Sequence, residues 1–216
     1  MCVNRKAGTR VFQRPCGWSC CVLLHGIIAL CTRQGWKLTV LLIPYLIVLA
    51  VLAVLLGQAA EQPLNATAPL AWIASHIVVS VITYGLITMA AVAALAATLQ
   101  ERALKNKQPT WLTRRLPAMA DSETLLVRLL VAGEIILVLG VLTGMATSFE
   151  ETGLLFALDH KTIFTFAILI VLAGLLFAHF RTGVRGRAVA RTVLLAYLLL
   201  TLGYPGVKFV TGILLT

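Results

Sequence analysis

Five apolar runs, each about as long as a bilayer is thick, divide the chain: Leu38–Gly57, Pro69–Leu99, Thr124–Thr147, His160–Phe180 and Val189–Leu214. A helix needs ~20 apolar residues to cross the hydrocarbon core. Helices are the expected form, because a lone apolar strand leaves its backbone groups unpaired in lipid. A sixth run, Trp18–Cys31, is short for a crossing.

The loops between the runs alternate in charge. Arg33 and Lys37 precede the first firm run, and the loop 58–68 has no Lys or Arg. The loop 100–123 carries Arg102, Lys105, Lys107, Arg114 and Arg115. The loop 148–159 has no cation and holds Glu150, Glu151 and Asp159, whereas 181–188 carries Arg181, Arg185 and Arg187. The excess of Lys and Arg in cytoplasmic loops then sets the expected orientation. Loops 33–37, 100–123 and 181–188 lie inside; loops 58–68 and 148–159 and the C-terminus lie outside. Arg5, Lys6, Arg10 and Arg14 also want the inside, which favours a first segment that does not cross.

Composition agrees with a membrane protein. The chain is 60% hydrophobic and 12% charged, too little charge to cover a water-facing surface of this size. The net charge of +10 sits between the apolar runs, so it is read as an orientation signal and not as a nucleic-acid footprint. The five cysteines, Cys2, Cys16, Cys20, Cys21 and Cys31, form no Cys-x-x-Cys and are expected to be packing residues. No small-x-small cleavage site follows the first apolar run, so a cleaved signal peptide is not expected. The chain lacks Walker, Gly-x-Ser-x-Gly and His-Glu-x-x-His patterns, and a non-enzymatic role is expected.

Ionisable side chains inside a membrane are expensive and mark candidate sites. His76 lies seven residues in from Pro69, ~10 Å along a helix. Trp72, His76, Ser80 and Thr83 share one helical stripe expected to face the bundle. The bland reading makes Trp72 an interface anchor and His76 a satisfied packing residue. His160 opens the fourth run on the same outer side, and neutral imidazole binds haem iron axially. Non-covalent haem b between these helices would take His76 and His160 as its axial pair. Lys161 and Lys208 are placed to meet its carboxylates, unless they only snorkel to the interface. His179 lies at the inner end of the fourth run and His25 in the short first segment. Glu134, near the middle of the third run, is either a proton or cation site or a buried neutral carboxyl. Arg128, six residues away, is not on its face. Gly140-x-x-x-Gly144 and the run Ala90 to Ala97 allow close helix packing.

The stretch from Trp72 to Lys107, WIASHIVVSVITYGLITMAAVAALAATLQERALKNK, resembles the Trp–His–Tyr span of the cytochrome c assembly proteins of the CcsA and CcmC type. The later stretches DHKTIFTFA, RTGVRGRAVAR and GYPGVKFV resemble their shorter, HemX- and YpjD-like inner-membrane branch. The resemblance covers about residues 70–214. It implies a haem-binding or haem-passing protein of the bacterial inner membrane. His76 matches the family's outer-face histidine, His179 a histidine before an inner-face arginine, and His25 an earlier intramembrane histidine. The chain also departs from the larger members. Its loop SFEETGLLFALD has no tryptophan, and Asp159-His160-Lys161 stands where they have Asp-Pro-Lys. No histidine follows the last run. An accessory haem role therefore fits better than direct delivery to a cytochrome.

The expected architecture is an all-α polytopic transmembrane bundle of five firm spans and one short N-terminal segment. Residues 1–37 form a basic N-terminal region and residues 38–216 the membrane domain. The expected function is assistance to cytochrome c or haem biogenesis. Its expected partners are the lipid bilayer and other cytochrome c biogenesis proteins, with no nucleic acid. The rival readings are a small transporter or ion-handling subunit built around Glu134 and Arg128, and a packing partner in a membrane complex.

Overall fold

The structure, a computed structural model, describes residues 26, 35–56, 69–153, 160–184 and 186–201. Among the described residues there are six helices and no strands: α1 (Gly35–Leu56), α2 (Leu70–Asn106), α3 (Trp111–Arg115), α4 (Met119–Thr152), α5 (His160–Thr182) and α6 (Arg187–Thr201). Three segments are long and apolar enough to cross a membrane: Ala71–Asn106, Met119–Glu150 and Thr162–Thr182. The apolar part of α1, Lys37–Val48, is shorter. The helical α6 is described for 15 residues. Each of the first four predicted runs coincides with a helix, the fifth is helical as far as Thr201, beyond which its residues lie outside the described ones, and three of these helices qualify as crossings among the described residues. The segment Trp18–Cys31 and all five cysteines lie outside the described residues, apart from the helical Gly26.

The helix ends follow local chemistry. Helix α2 stops at Lys107, whose backbone is left-handed (φ 51°). There the Lys107 amide donates to the Leu104 carbonyl (3.3 Å) and the Gln108 amide to that of Ala103 (3.2 Å). These bonds satisfy the last carbonyls, and Pro109 follows where the helix cannot continue. The short α3 starts at a reciprocal cap. The Thr113 amide donates to Thr110 Oγ1 (3.3 Å), and the Thr110 amide donates to Thr113 Oγ1 (2.9 Å). Helix α4 ends at Gly153 (φ 70°), a conformation that suits glycine because it lacks a Cβ.

Helix α2 is the centre of the bundle and packs against α1, α3, α4 and α6. Its alanine stretch explains this. Ala90, Ala93, Ala94 and Ala96 are fully buried, and such small side chains let neighbouring backbones come close. Leu126 and Leu130 of α4, Val193 and Ala196 of α6, and Leu38 of α1 complete the core. Helix α5 buries Ile168 and Leu172 against α4 and α6. Its Ile163, Ile170 and Phe177 recur every seven residues and are exposed, forming a lipid-facing stripe.

Helices α2 and α4 run antiparallel in one register. Gly133 faces Leu86 and Ile87, Gly140 faces Val79, and Gly144 faces His76. At the far end the Gln100 amide donates to the carbonyls of Thr113 (2.7 Å) and Pro117 (3.1 Å), tying the α2–α4 connection to α2. Glu101 holds both Lys105 and Arg187 at 2.9 Å, joining the end of α2 to the start of α6.

Candidate functional site

His76 sits two turns into α2, half-buried against α4. Its Nδ1 lies 3.2 Å from the Thr143 hydroxyl. That hydroxyl is also 3.0 Å from the Leu139 carbonyl and 3.1 Å from that of Gly140. A hydroxyl has one proton and two lone pairs. Donation to either carbonyl leaves Thr143 Oγ1 to accept from a protonated Nδ1. The neutral imidazole then carries its free lone pair on Nε2, the arrangement that metal-bound histidines take. The absence of a side chain at Gly144 completes the seat: a Cβ there would come within 3.0 Å of His76 Cε1. Thr147 donates to the Gly144 carbonyl (2.9 Å), so that backbone group is satisfied too.

The predicted stripe faces the bundle only in part. Thr83 is buried and His76 half-buried, but Trp72 is 45% exposed and Ser80 is exposed. At ~100° per residue His76 and Thr83 differ by only ~20°, while Trp72 and Ser80 lie at the two edges of the arc. Trp72 therefore looks outward one turn above His76. Its carbonyl accepts from the Ser75 hydroxyl (2.8 Å).

His160 and Lys161 are the first two residues of α5. The other end of α5 lies beside the start of α4, because a Cβ on Gly186 would come within 3.8 Å of Glu123 Oε1. His160 therefore opens its helix at the end of the bundle that holds His76. The side chains of His160 and Lys161 are not among the described ones, and Lys208 and His25 lie outside the described residues.

His179 is at the opposite end. Its Nδ1 donates to the Val184 carbonyl at 2.8 Å, and its ring meets Phe180 edge-on at 5.3 Å. It lines a cavity of about 380 Å³ with Ala97, Glu123 and Arg128. Ala97 is 21 residues along α2 from His76, which is ~31 Å. The two described histidines thus belong to separate places.

Glu134 is half-buried, and its Oε2 is buried with no hydrogen-bond partner. Arg128 is exposed, and among the described residues no ion pair joins the two. No three His, Cys, Asp or Glu side chains gather as a metal site among the described residues. A porphyrin supplies four nitrogens of its own, so an axial site asks only one or two ligands of the protein. One seated imidazole, with Nε2 free when Nδ1 carries the proton, beside an exposed indole, fits that requirement.

Two residues of this region carry no sequence signal. Thr143 reads as an ordinary membrane threonine bonded to its own helix. Gln100 reads as the polar end of an apolar run. Gly144 is visible as half of a small-residue pair, but its neighbour is not.

Comparison with known proteins bears on what such a seat is for. An Azospirillum brasilense protein described as an uncharacterized 28.8 kDa protein in nifR3-like 5'region is 55% identical over 195 residues, covering 90% of this chain and 72% of its own length. Protein HemX of Brevibacillus brevis is 25% identical over 132 residues, covering 61% of this chain and 48% of its own length. No solved structure matches the chain. The family model for cytochrome C assembly protein matches residues 16–215, and the chain belongs to that family.

Proposed function

We propose that the chain is a bacterial inner-membrane protein that assists cytochrome c or haem biogenesis by holding haem b near the outer face. The observation that carries this reading is the seat of His76, with Nδ1 3.2 Å from the Thr143 hydroxyl and the ring against the bare backbone of Gly144; we assign the proton to Nδ1, which leaves Nε2 for a metal. Family membership supports the process, and the printed name of the B. brevis relative agrees with it.

In this proposal five helices cross, and the alternating Lys and Arg loops put His76 and the C-terminus outside. His160 supplies the second axial nitrogen and Lys161 meets the haem carboxylates. Trp72 covers the macrocycle from the lipid side. Haem would supply a redox-active iron, while the chain's own residues position, cover and release it. Thr143 fixes the tautomer of His76, and Gly144 fixes the depth of its ring. The role we propose is non-enzymatic, in keeping with a family that handles haem. The partners are lipid and other cytochrome c biogenesis proteins.

The test is an absorption spectrum of detergent-purified protein from haem-replete cells. A six-coordinate, bis-histidine spectrum is expected for the wild type. A wild-type haem spectrum in protein with both His76 and His160 replaced by Ala would contradict the site. Reporters fused after Leu64 and Thr152 should read outside, and those after Lys107 and Gly186 inside. An inside signal at Leu64 would overturn the orientation.

One observation favours a second reading. The buried, unpartnered Oε2 of Glu134 is what a proton- or cation-handling site would present. Loss of a proton or ion flux in Glu134→Gln, with the haem spectrum intact, would move the assignment there.

A further inference from the structure

The basic end of the bundle carries more cation than its own structure uses. Between Gln100 and Ala118 the chain has five Lys and Arg residues and a single acid, Glu101. Lys105 and Arg187 both take the same oxygen of Glu101. Arg115 lies over the Trp111 ring, 4.6 Å from its centroid. Arg102, Lys107 and Arg114 then have no acidic partner among the described residues. Two of these three, Lys107 and Arg114, line one recess of about 330 Å³, together with Gln100, Leu104 and Thr113.

The walls of this recess are fixed. The amides of Lys107 and Gln108 close the end of α2, the Thr110–Thr113 cap fixes the start of α3, and Gln100 holds the connection from behind. Leu104, which lines it, is 68% exposed, and Trp111, at the start of α3, is 66% exposed. A tryptophan and a leucine in this state suit the boundary between headgroups and acyl chains. The level agrees. A bilayer with its headgroups is ~40–45 Å thick, which at 1.5 Å per residue is ~30 residues of helix. Counted from Leu70, that brings α2 to the far headgroup layer at about Gln100.

We propose that this recess binds the phosphate headgroup of an anionic phospholipid, with Lys107 and Arg114 on the phosphate oxygens and Leu104 against the acyl chains. Two cations left unpaired at one fixed cavity are a specific site, distinct from the diffuse attraction that any basic loop exerts on an anionic surface. The site is independent of haem.

The test is native mass spectrometry of the full-length purified protein titrated with phosphatidylglycerol and, separately, phosphatidylcholine. Wild type should retain phosphatidylglycerol and not phosphatidylcholine. K107Q/R114Q should weaken retention about tenfold or more, because both charge-assisted hydrogen bonds to the phosphate are lost. The charge-matched control R102Q/R115Q should change it far less, since charges outside the recess are screened by salt, and K107R/R114K should keep it. Equal loss in both double glutamine variants would overturn the site in favour of bulk electrostatics. Inorganic phosphate at matched concentration should not displace the lipid; displacement at equal potency would overturn the lipid assignment. Should K107Q/R114Q fail to fold, the single variant R114Q, at an exposed position, reads the same contact.

Discussion

His76 and His179, the histidines whose side-chain contacts are described, lie at opposite ends of the bundle and are held in different ways. His179 is anchored by its own connection, through a carbonyl five residues further along. His76 is anchored by a different helix, through a hydroxyl 67 residues away and the bare backbone of Gly144. The first contact survives any small shift of α5 against its neighbours. The second exists only while α2 and α4 keep their register. A ring placed by tertiary packing can be held to the tolerance that metal ligation needs, so His76 is the better candidate for an axial ligand.

The largest effect expected from breaking this contrast is at His76. His76→Ala should convert a six-coordinate haem spectrum to five-coordinate or abolish it, and His160→Ala should do the same. His179→Ala should leave the spectrum unchanged, because that ring is ~31 Å away along the bundle. Equal sensitivity of His76 and His179 would remove the contrast.

Next is Gly144→Ala. The added methyl meets His76 Cε1 at 3.0 Å, so the ring or the helix pair must move. Overpacking of this kind costs about 1–3 kcal/mol, seen as a lower midpoint of thermal unfolding, and haem affinity should fall with it. Gly174→Ala is the control: a Cβ there meets nothing within 4 Å, so the midpoint should not fall and haem affinity should not change.

Thr143→Val sharpens the comparison without changing much volume. Loss of a partner that orients a metal-bound histidine costs ~10–100-fold in metal affinity. Thr143→Ser should restore most of it. In ring-labelled apo protein, 15N spectra should show His76 protonated at Nδ1 in the wild type and a mixture in Thr143→Val. Protonation at Nε2 in the wild type would reverse the assignment, whatever the haem result.

These contacts also mark what can be read from the chain alone. Long apolar runs betray helices because lipid forces them to be helical. Their ends are less visible: α2 continues seven residues past Leu99 and α4 starts five before Thr124, since helices persist as polar rods outside the hydrocarbon. The cap that starts α3 was hidden because Thr replaces the usual acidic partner of a capping box. Gly140 and Gly144 were visible as a small pair, but the identity of what Gly144 receives depends on the α2–α4 register. The stripe through Trp72 and Ser80 is wider than the buried face, because an arc of ~80° exceeds what one neighbouring helix covers here.

The smallest effect is expected at the basic end. Glu101→Gln weakens two solvent-screened ion pairs, and should lower the unfolding midpoint only slightly, and less still at high salt. Thermal unfolding in low and high salt reads this. A loss as large as that of Gly144→Ala would mean that the basic end, and not the α2–α4 seat, holds the bundle in register.

The claim that the imidazole of His76 is the ligand is tested most directly by chemical rescue. His76→Gly removes the side chain and leaves room for free imidazole. The absorption spectrum of haem-loaded His76→Gly should lose its six-coordinate character, and adding imidazole should restore it. A wild-type spectrum in His76→Gly without imidazole would contradict the account.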